Sequence, residues 1–128
     1  MTAPTTDLKK EALVRYTDET ASISCPYGNV KRVVTGGLGG VANVHIVNVS
    51  LGSLHFHLGY DEVYYVLSGT GRITLSGVVH SLRPGAVVVI PAEVPHELVA
   101  DEGQSLEFII FGTPAMAFSD ERAKPRKT

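Results

Sequence analysis

The chain of 128 residues has one cysteine and no tryptophan. A single thiol, Cys25, excludes an internal disulfide and suits a reducing compartment. Beside Pro26 it reads as a small packing residue rather than a nucleophile. No apolar run approaches the ~18 residues of a membrane-spanning helix, so no span is expected. The opening from Met1 to Glu11 has no apolar core of the kind that secretory signals carry, and a cytoplasmic location is the expectation. An excess of either charge is also missing. Lys and Arg number 11 against 13 Asp and Glu, for a net charge of −2. Such a balance gives no long-range attraction to nucleic acid or anionic lipid. The cationic cluster Lys124, Arg126 and Lys127 reads as a solvated tail. Helical periodicity over ten or so residues is absent from the centre of the chain.

What remains is a soluble, globular composition, 44% hydrophobic and 19% charged, long enough for one domain with its own core. From Val30 onward, short apolar runs alternate with glycine and turn residues. They are Lys31–Thr35, Val44–Val49, Leu54–His57, Glu62–Leu67, Gly71–Leu75, Val78–Leu82, Ala86–Ile90, His96–Ala100 and Leu106–Phe111. Runs this short, rich in Val, Ile, Tyr and Phe, favour strands. Ser76-Gly77 reads as a two-residue hairpin loop, and Ser68-Gly69-Thr70 and Arg83-Pro84-Gly85 as turns. Gly36 to Gly40 lacks the Lys-Ser/Thr of a phosphate loop and reads as a flexible connection. The expectation is an all-β sandwich or barrel over residues 30–113. A partly ordered N-terminal extension (1–29) with a helical turn near Leu8–Val14 precedes it, and a C-terminal tail (114–128) follows.

Four side chains carry the chemical signal. His55 and His57 share one strand face, because alternate residues point the same way. Glu62 opens the next run after the turn Leu58–Asp61, and His96 follows a turn between Pro91 and Pro95. Three imidazoles and a carboxylate suit one divalent transition ion per chain (Fe, Mn, Zn, Ni, Co or Cu). Asp61 is the rival carboxylate, but it suits the turn. With Glu62 inward, the strand period also turns Tyr64 and Val66 inward; with His96 inward, Leu98 and Ala100 follow. Tyr64 is therefore a candidate acid or hydrogen-bond donor. Glu107, alone in the apolar run Leu106–Phe111, is a candidate general base. His45 could line the cavity; His80 and Arg72 read as surface residues.

The stretch resembles the first cupin motif, G-x5-H-x-H-x3/4-E-x6-G. His55, His57, Glu62 and Gly69 match it, while Val49 holds the place of the leading glycine. The second motif, G-x5-P-x-G-x2-H-x3-N, appears as Gly85, Pro91 and His96, with Glu93 in place of a glycine and Ala100 in place of the asparagine. The resemblance covers Val44 to about Phe111. It implies a double-stranded β-helix, the cupin jelly-roll barrel. It also implies a metal at the barrel mouth held by His55, His57, Glu62 and His96, and commonly a homodimer. Val87 to Ile90, apolar on both faces, needs cover outside the barrel too, from a dimer partner or from the first 30 residues.

The expected function is a metal-dependent enzyme acting on a small organic molecule whose carbonyl, enol or hydroxyl oxygen binds the ion. Its chemistry would be that of a redox-neutral isomerase, cyclase or lyase, or of a non-haem dioxygenase. The alternative is a non-catalytic module that binds or senses a small ligand.

Overall fold

The computed structural model describes residues 10–116 and the backbone of residues 121–123. Eleven strands form where the short β-branched and aromatic runs lie: β1 (Ile23–Cys25), β2 (Gly28–Val34), β3 (Asn43–Val49), β4 (Leu51–His57), β5 (Asp61–Ser68), β6 (Gly71–Leu75), β7 (Val78–Leu82), β8 (Val87–Ile90), β9 (His96–Ala100), β10 (Leu106–Thr113) and β11 (Glu121–Ala123). Every pairing is antiparallel. A six-stranded sheet runs β1-β2-β3-β10-β5-β8 and a five-stranded sheet β11-β4-β9-β6-β7. The order interleaves strands far apart in sequence, as a jelly roll requires. Val66, Ile73, Ile90, Leu98, Leu106 and Phe108 come from both sheets and fill the space between them. Helix is confined, among the described residues, to two 3-10 turns, Thr17–Glu19 and Gly36–Leu38.

Local sequence sets the corners. Ser76 and Gly77 adopt φ of 47° and 84° between β6 and β7. Positive φ at both central residues is the type I′ geometry that matches the twist of a two-residue hairpin.

Four expectations need correction. Residues 10–14 are not helical, and Leu8 and Lys9 lie outside the described residues; the helical turn forms instead at Thr17–Glu19. Strand pairing begins at Ile23, ahead of residue 30, because β1 folds back on β2 through Pro26-Tyr27. The tail after residue 114 contributes β11, whose backbone pairs with β4 from His55 to His57. Gly36 to Gly40 is a closed turn rather than a loose link: Gly39 N–H donates to Gly36 O and Gly40 N–H to Thr35 O, both at 3.0 Å.

The N-terminal segment packs along β2 and that turn. Glu11 N–H donates to Gly39 O at 2.9 Å, and Arg15 Nε to Val33 O at 3.0 Å. Its described contacts, from residue 10 onward, are with β2 and that turn and not with β8. Val88 and Ile90 are buried there, but Val87 and Val89 each stay 62% exposed.

Candidate metal centre and its cavity

His55, His57 and His96 come from adjacent strands of one sheet, with His55 directly opposite His96 in the β4–β9 ladder. The register of β4 shifts between Gly52 and His55. A bulge of this kind re-aims the side chains beyond it. Glu62 reaches the same point from β5 in the other sheet, so the group straddles the gap between the sheets. The three imidazoles present nitrogens within 4.8 Å of one another. Glu62 Oε1 lies 3.0 Å from His57 Nε2 and 3.7 Å from His96 Nε2.

Backbone carbonyls choose the tautomers. His55 Nδ1 lies 2.6 Å from Ser53 O, and His96 Nδ1 lies 2.9 Å from Val94 O. Each Nδ1 therefore carries the proton, and each Nε2 offers its lone pair to the centre of the cluster. His57 packs under the Tyr60 ring, with centroids 4.6 Å apart. Burial pushes the His96 imidazole down to about 4, and His55 beside it adds to the effect. It is neutral at pH 7, the form a metal ligand needs. His57 Nδ1 and the Nε2 of His57 and His96 are buried without a well-aligned hydrogen bond, although His57 Nε2 lies in ion-pair range of Glu62. Leaving buried polar atoms unsatisfied costs stability, and a cation between them would satisfy the Nε2 of each ring. With bonds near 2.1 Å, opposite ligands stand about 4.2 Å apart. The group therefore fits a divalent ion after a small closing of the side chains.

Neighbouring residues hold this arrangement. Asp61, expected to serve its own turn, instead bonds across to the loop between β8 and β9: its Oδ1 accepts from Ala92 N–H at 2.8 Å. Glu93, standing where the motif has glycine, adopts a φ of 72°, and its N–H donates to His57 O at 2.6 Å. The left-handed conformation costs a non-glycine residue about 1–2 kcal/mol, and it is kept here against the strand that carries His55 and His57. Tyr64 is buried in phase with Glu62, and its hydroxyl donates to Glu62 Oε1 at 3.3 Å. The Tyr64 ring stacks on Phe108 at 4.8 Å.

The histidines open into a cavity of about 510 Å³, lined by Tyr64, Leu98, Phe108 and Ile110 among others. That volume suits a small organic ligand. Glu107 is not among the lining residues. It alternates with buried Leu106 and Phe108 and so projects from the other face of β10, which removes it as the general base. Val66 lies in the core rather than in the cavity wall, and Ala100 likewise packs against the core. His80 and Arg72 are exposed, as expected.

Of two further lining residues that carry chemistry, the sequence did not single out Arg32, and it offered His45 only as a residue that could line the cavity. Arg32 lines the cavity, although the β2 alternation is broken by a register shift between Arg32 and Val34. Its partner across the ladder is His45, which also lines the cavity. Burial pushes the His45 imidazole down to about 4, Arg32 lowers it further, and Glu62 pulls the other way. The unfolded chain takes up this proton near 6.5 and the folded chain only near 4, so acid favours unfolding across that interval. Metal-free protein should lose stability as pH falls from 6.5 towards 4, and His45→Gln should lessen the loss. Denaturant unfolding at points across the window checks this. An equal loss in both proteins would show that His45 takes no part in it.

The cupin domain profile matches residues 47–112. An uncharacterised protein of Methanocaldococcus jannaschii is 28% identical over 67 residues, which are 52% of this chain and 54% of that one. The chain thus spans about half the length of the curated relative it matches. Among solved structures, Streptomyces Pac13 with uridine superposes with a TM-score of 0.75 at 20% identity, covering 90% of this chain and 92% of that one. Pac13 is described as a unique nucleoside dehydratase. Ectoine synthase from P. lautus gives 0.75 at 15% identity, covering 91% and 93%. A Planctomyces limnophilus protein gives 0.77 at 24%, covering 87% and 96%. At these identities the likeness is one of fold.

Proposed function

Because the chain belongs to the cupin family, we propose that it is a metal-dependent enzyme for a small organic substrate, with one divalent transition ion held by His55, His57, Glu62 and His96. The observation that carries this is the convergence of three imidazoles and a carboxylate at the wall of an open cavity. When bound, the ion would polarise a carbonyl, enol or hydroxyl oxygen of the substrate. The chain's own groups do the rest. Leu98, Phe108 and Ile110 shield the reacting end from water and orient the molecule by shape. Tyr64, within reach of Glu62, holds a hydroxyl proton at the site and is the group placed to give or accept one. That proton-handling pair favours redox-neutral chemistry over oxygenation. Pac13, described as a dehydratase, lends this support from within the same fold.

Metal analysis of protein purified without added metal, followed by a substrate screen with and without O₂, tests the proposal. Turnover should need the ion and proceed anaerobically. Glu62→Gln should lower turnover far more than stability, and Tyr64→Phe should lower turnover while metal content holds. Substrate-dependent O₂ uptake would move the protein to the oxygenases. Full activity in Glu62→Gln and His96→Ala would leave a binding module.

The outward face of β8 supports a homodimer. Val87 and Val89 sit beside Tyr65 and Val63 of β5, and the apolar surface continues to Phe111 of β10, with Tyr65 and Phe111 41% and 40% exposed. Contiguous apolar surface of this kind marks an interface. Light scattering should give twice the 13.7 kDa chain mass at micromolar concentration, falling to one chain mass in Val87→Lys. One chain mass in the unaltered protein sinks the dimer.

A further inference from the structure

Of the three clustered imidazoles, His57 is the one whose ring no backbone carbonyl fixes. His55 Nδ1 is tied to Ser53 O and His96 Nδ1 to Val94 O. His57 Nδ1 is buried and makes no well-aligned hydrogen bond among the described residues. A metal-binding histidine is ordinarily aimed by such a bond. His57 is aimed all the same, with its Nε2 3.0 Å from Glu62 Oε1.

Tyr60 is placed to hold that ring. It stands three residues after His57 and two before Glu62, in the connection from β4 to β5. Its ring lies nearly flat on the imidazole, with centroids 4.6 Å apart and planes at 28°. His55 and His96 meet the same imidazole at 79° and 42°. Tyr60 is buried, and a Cβ added at Gly112 would lie 3.4 Å from its Cδ2, so the backbone of β10 confines the phenol. Gly112 pairs in turn with Glu62 in the β10–β5 ladder. The phenol therefore touches both sheets at the cluster: the His57 imidazole from one, and the strand beside Glu62 in the other. An imidazole bound to a cation is electron-poor, which the electron-rich face of a phenol favours.

We propose that Tyr60 is a positioning residue of the metal centre: its stacked ring fixes the plane of His57 in place of a hydrogen bond and so presets Nε2 for the ion. The proposal rests on the metal-dependent reading of the site.

The test titrates the full, metal-free chain with zinc against a chromophoric chelator, and takes the visible spectrum of the cobalt(II) form as a second readout. Tyr60→Leu and Tyr60→Met keep apolar bulk and lose the flat face. Each should bind zinc about tenfold or more weakly, the lower end of the ~10–100-fold loss that follows removal of a group supporting a ligand. Each should also shift the cobalt bands. Tyr60→Phe keeps the stack and should match the unaltered protein in both readouts. A ring that only fills space behaves differently: its loss lowers the melting temperature of the metal-free chain and leaves zinc affinity, measured well below the melt, untouched. Zinc bound as tightly by Tyr60→Leu and Tyr60→Met as by the unaltered protein overturns the proposal while the metal reading stands. A loss in Tyr60→Phe as large as in the other two overturns it as well, because the stack is then not what matters. An unaltered protein that binds neither zinc nor cobalt ends the metal reading and the proposal together.

Discussion

His96→Ala should empty the metal centre. His96 is 1% exposed, and its Nε2 faces Glu62 while Nδ1 is tied to Val94 O. Altering a group behind a ligand already costs a metal site roughly 10–100-fold in affinity. Removing the imidazole itself should cost more, so protein purified without added metal should carry little. The fold should survive, because the change removes about one net hydrogen bond of ~1 kcal/mol from a barrel held by two sheets. Elemental analysis beside a circular dichroism melt reads both effects. His80→Ala, on an exposed position of β7, serves as the control and should keep its metal. Equal metal in both variants would mean that the site lies elsewhere.

Gly69→Ala should cost stability on the order of 3 kcal/mol without touching the centre. Gly69 turns the chain between β5 and β6 with a φ of 88°, and a Cβ added there would stand 2.1 Å from the carbonyl oxygen of Ser105. The left-handed conformation charges alanine about 1–2 kcal/mol. Relieving the clash by moving backbone adds a further 1–3 kcal/mol or so, as overpacking does. Chemical denaturation should show the midpoint falling with the slope unchanged. Gly77→Ala is the comparison: it has a similar φ of 84° but open space around it, so it should lose only the conformational part. Equal losses in the two variants would show that contact with Ser105 adds nothing.

Apart from His55 and His57 on β4, whose register shifts at Gly52, the residues that were readable from sequence lie on stretches of strand whose alternation is unbroken. In β5, Glu62, Tyr64 and Val66 are all buried, as a period of two requires, and in β9 His96 and Leu98 are likewise. Gly69 matched a motif, and the structure supplies the reason in Ser105. Arg32 was not readable, because the register shift beside it resets which residues face inward, and Val33 and Val34 give no contrast. His45 was only half readable. Its neighbours Val44, Ile46 and Val47 are apolar on both faces of β3, so nothing in the string shows which face is the cavity. The same two-sided apolarity misled at Glu107, where the phase of β10 decides the matter. The strands β1 and β11 have three residues each, too few for a pattern, and β11 pairs with β4, more than sixty residues away in sequence. Glu93 shows the converse: a departure from the motif's glycine left the turn geometry intact.

The histidines stand on one sheet and Glu62 on the other, and Val66, Ile73, Ile90 and Leu106 separate the two as a spacer. The jaws of the site are thus set by a hydrocarbon shim. Close-packed interiors pass on changes as small as one methylene, so thinning or thickening that shim would retune the ion's preferred radius from beneath. Two chains with identical ligands and different cores would then select different metals from the same cellular supply.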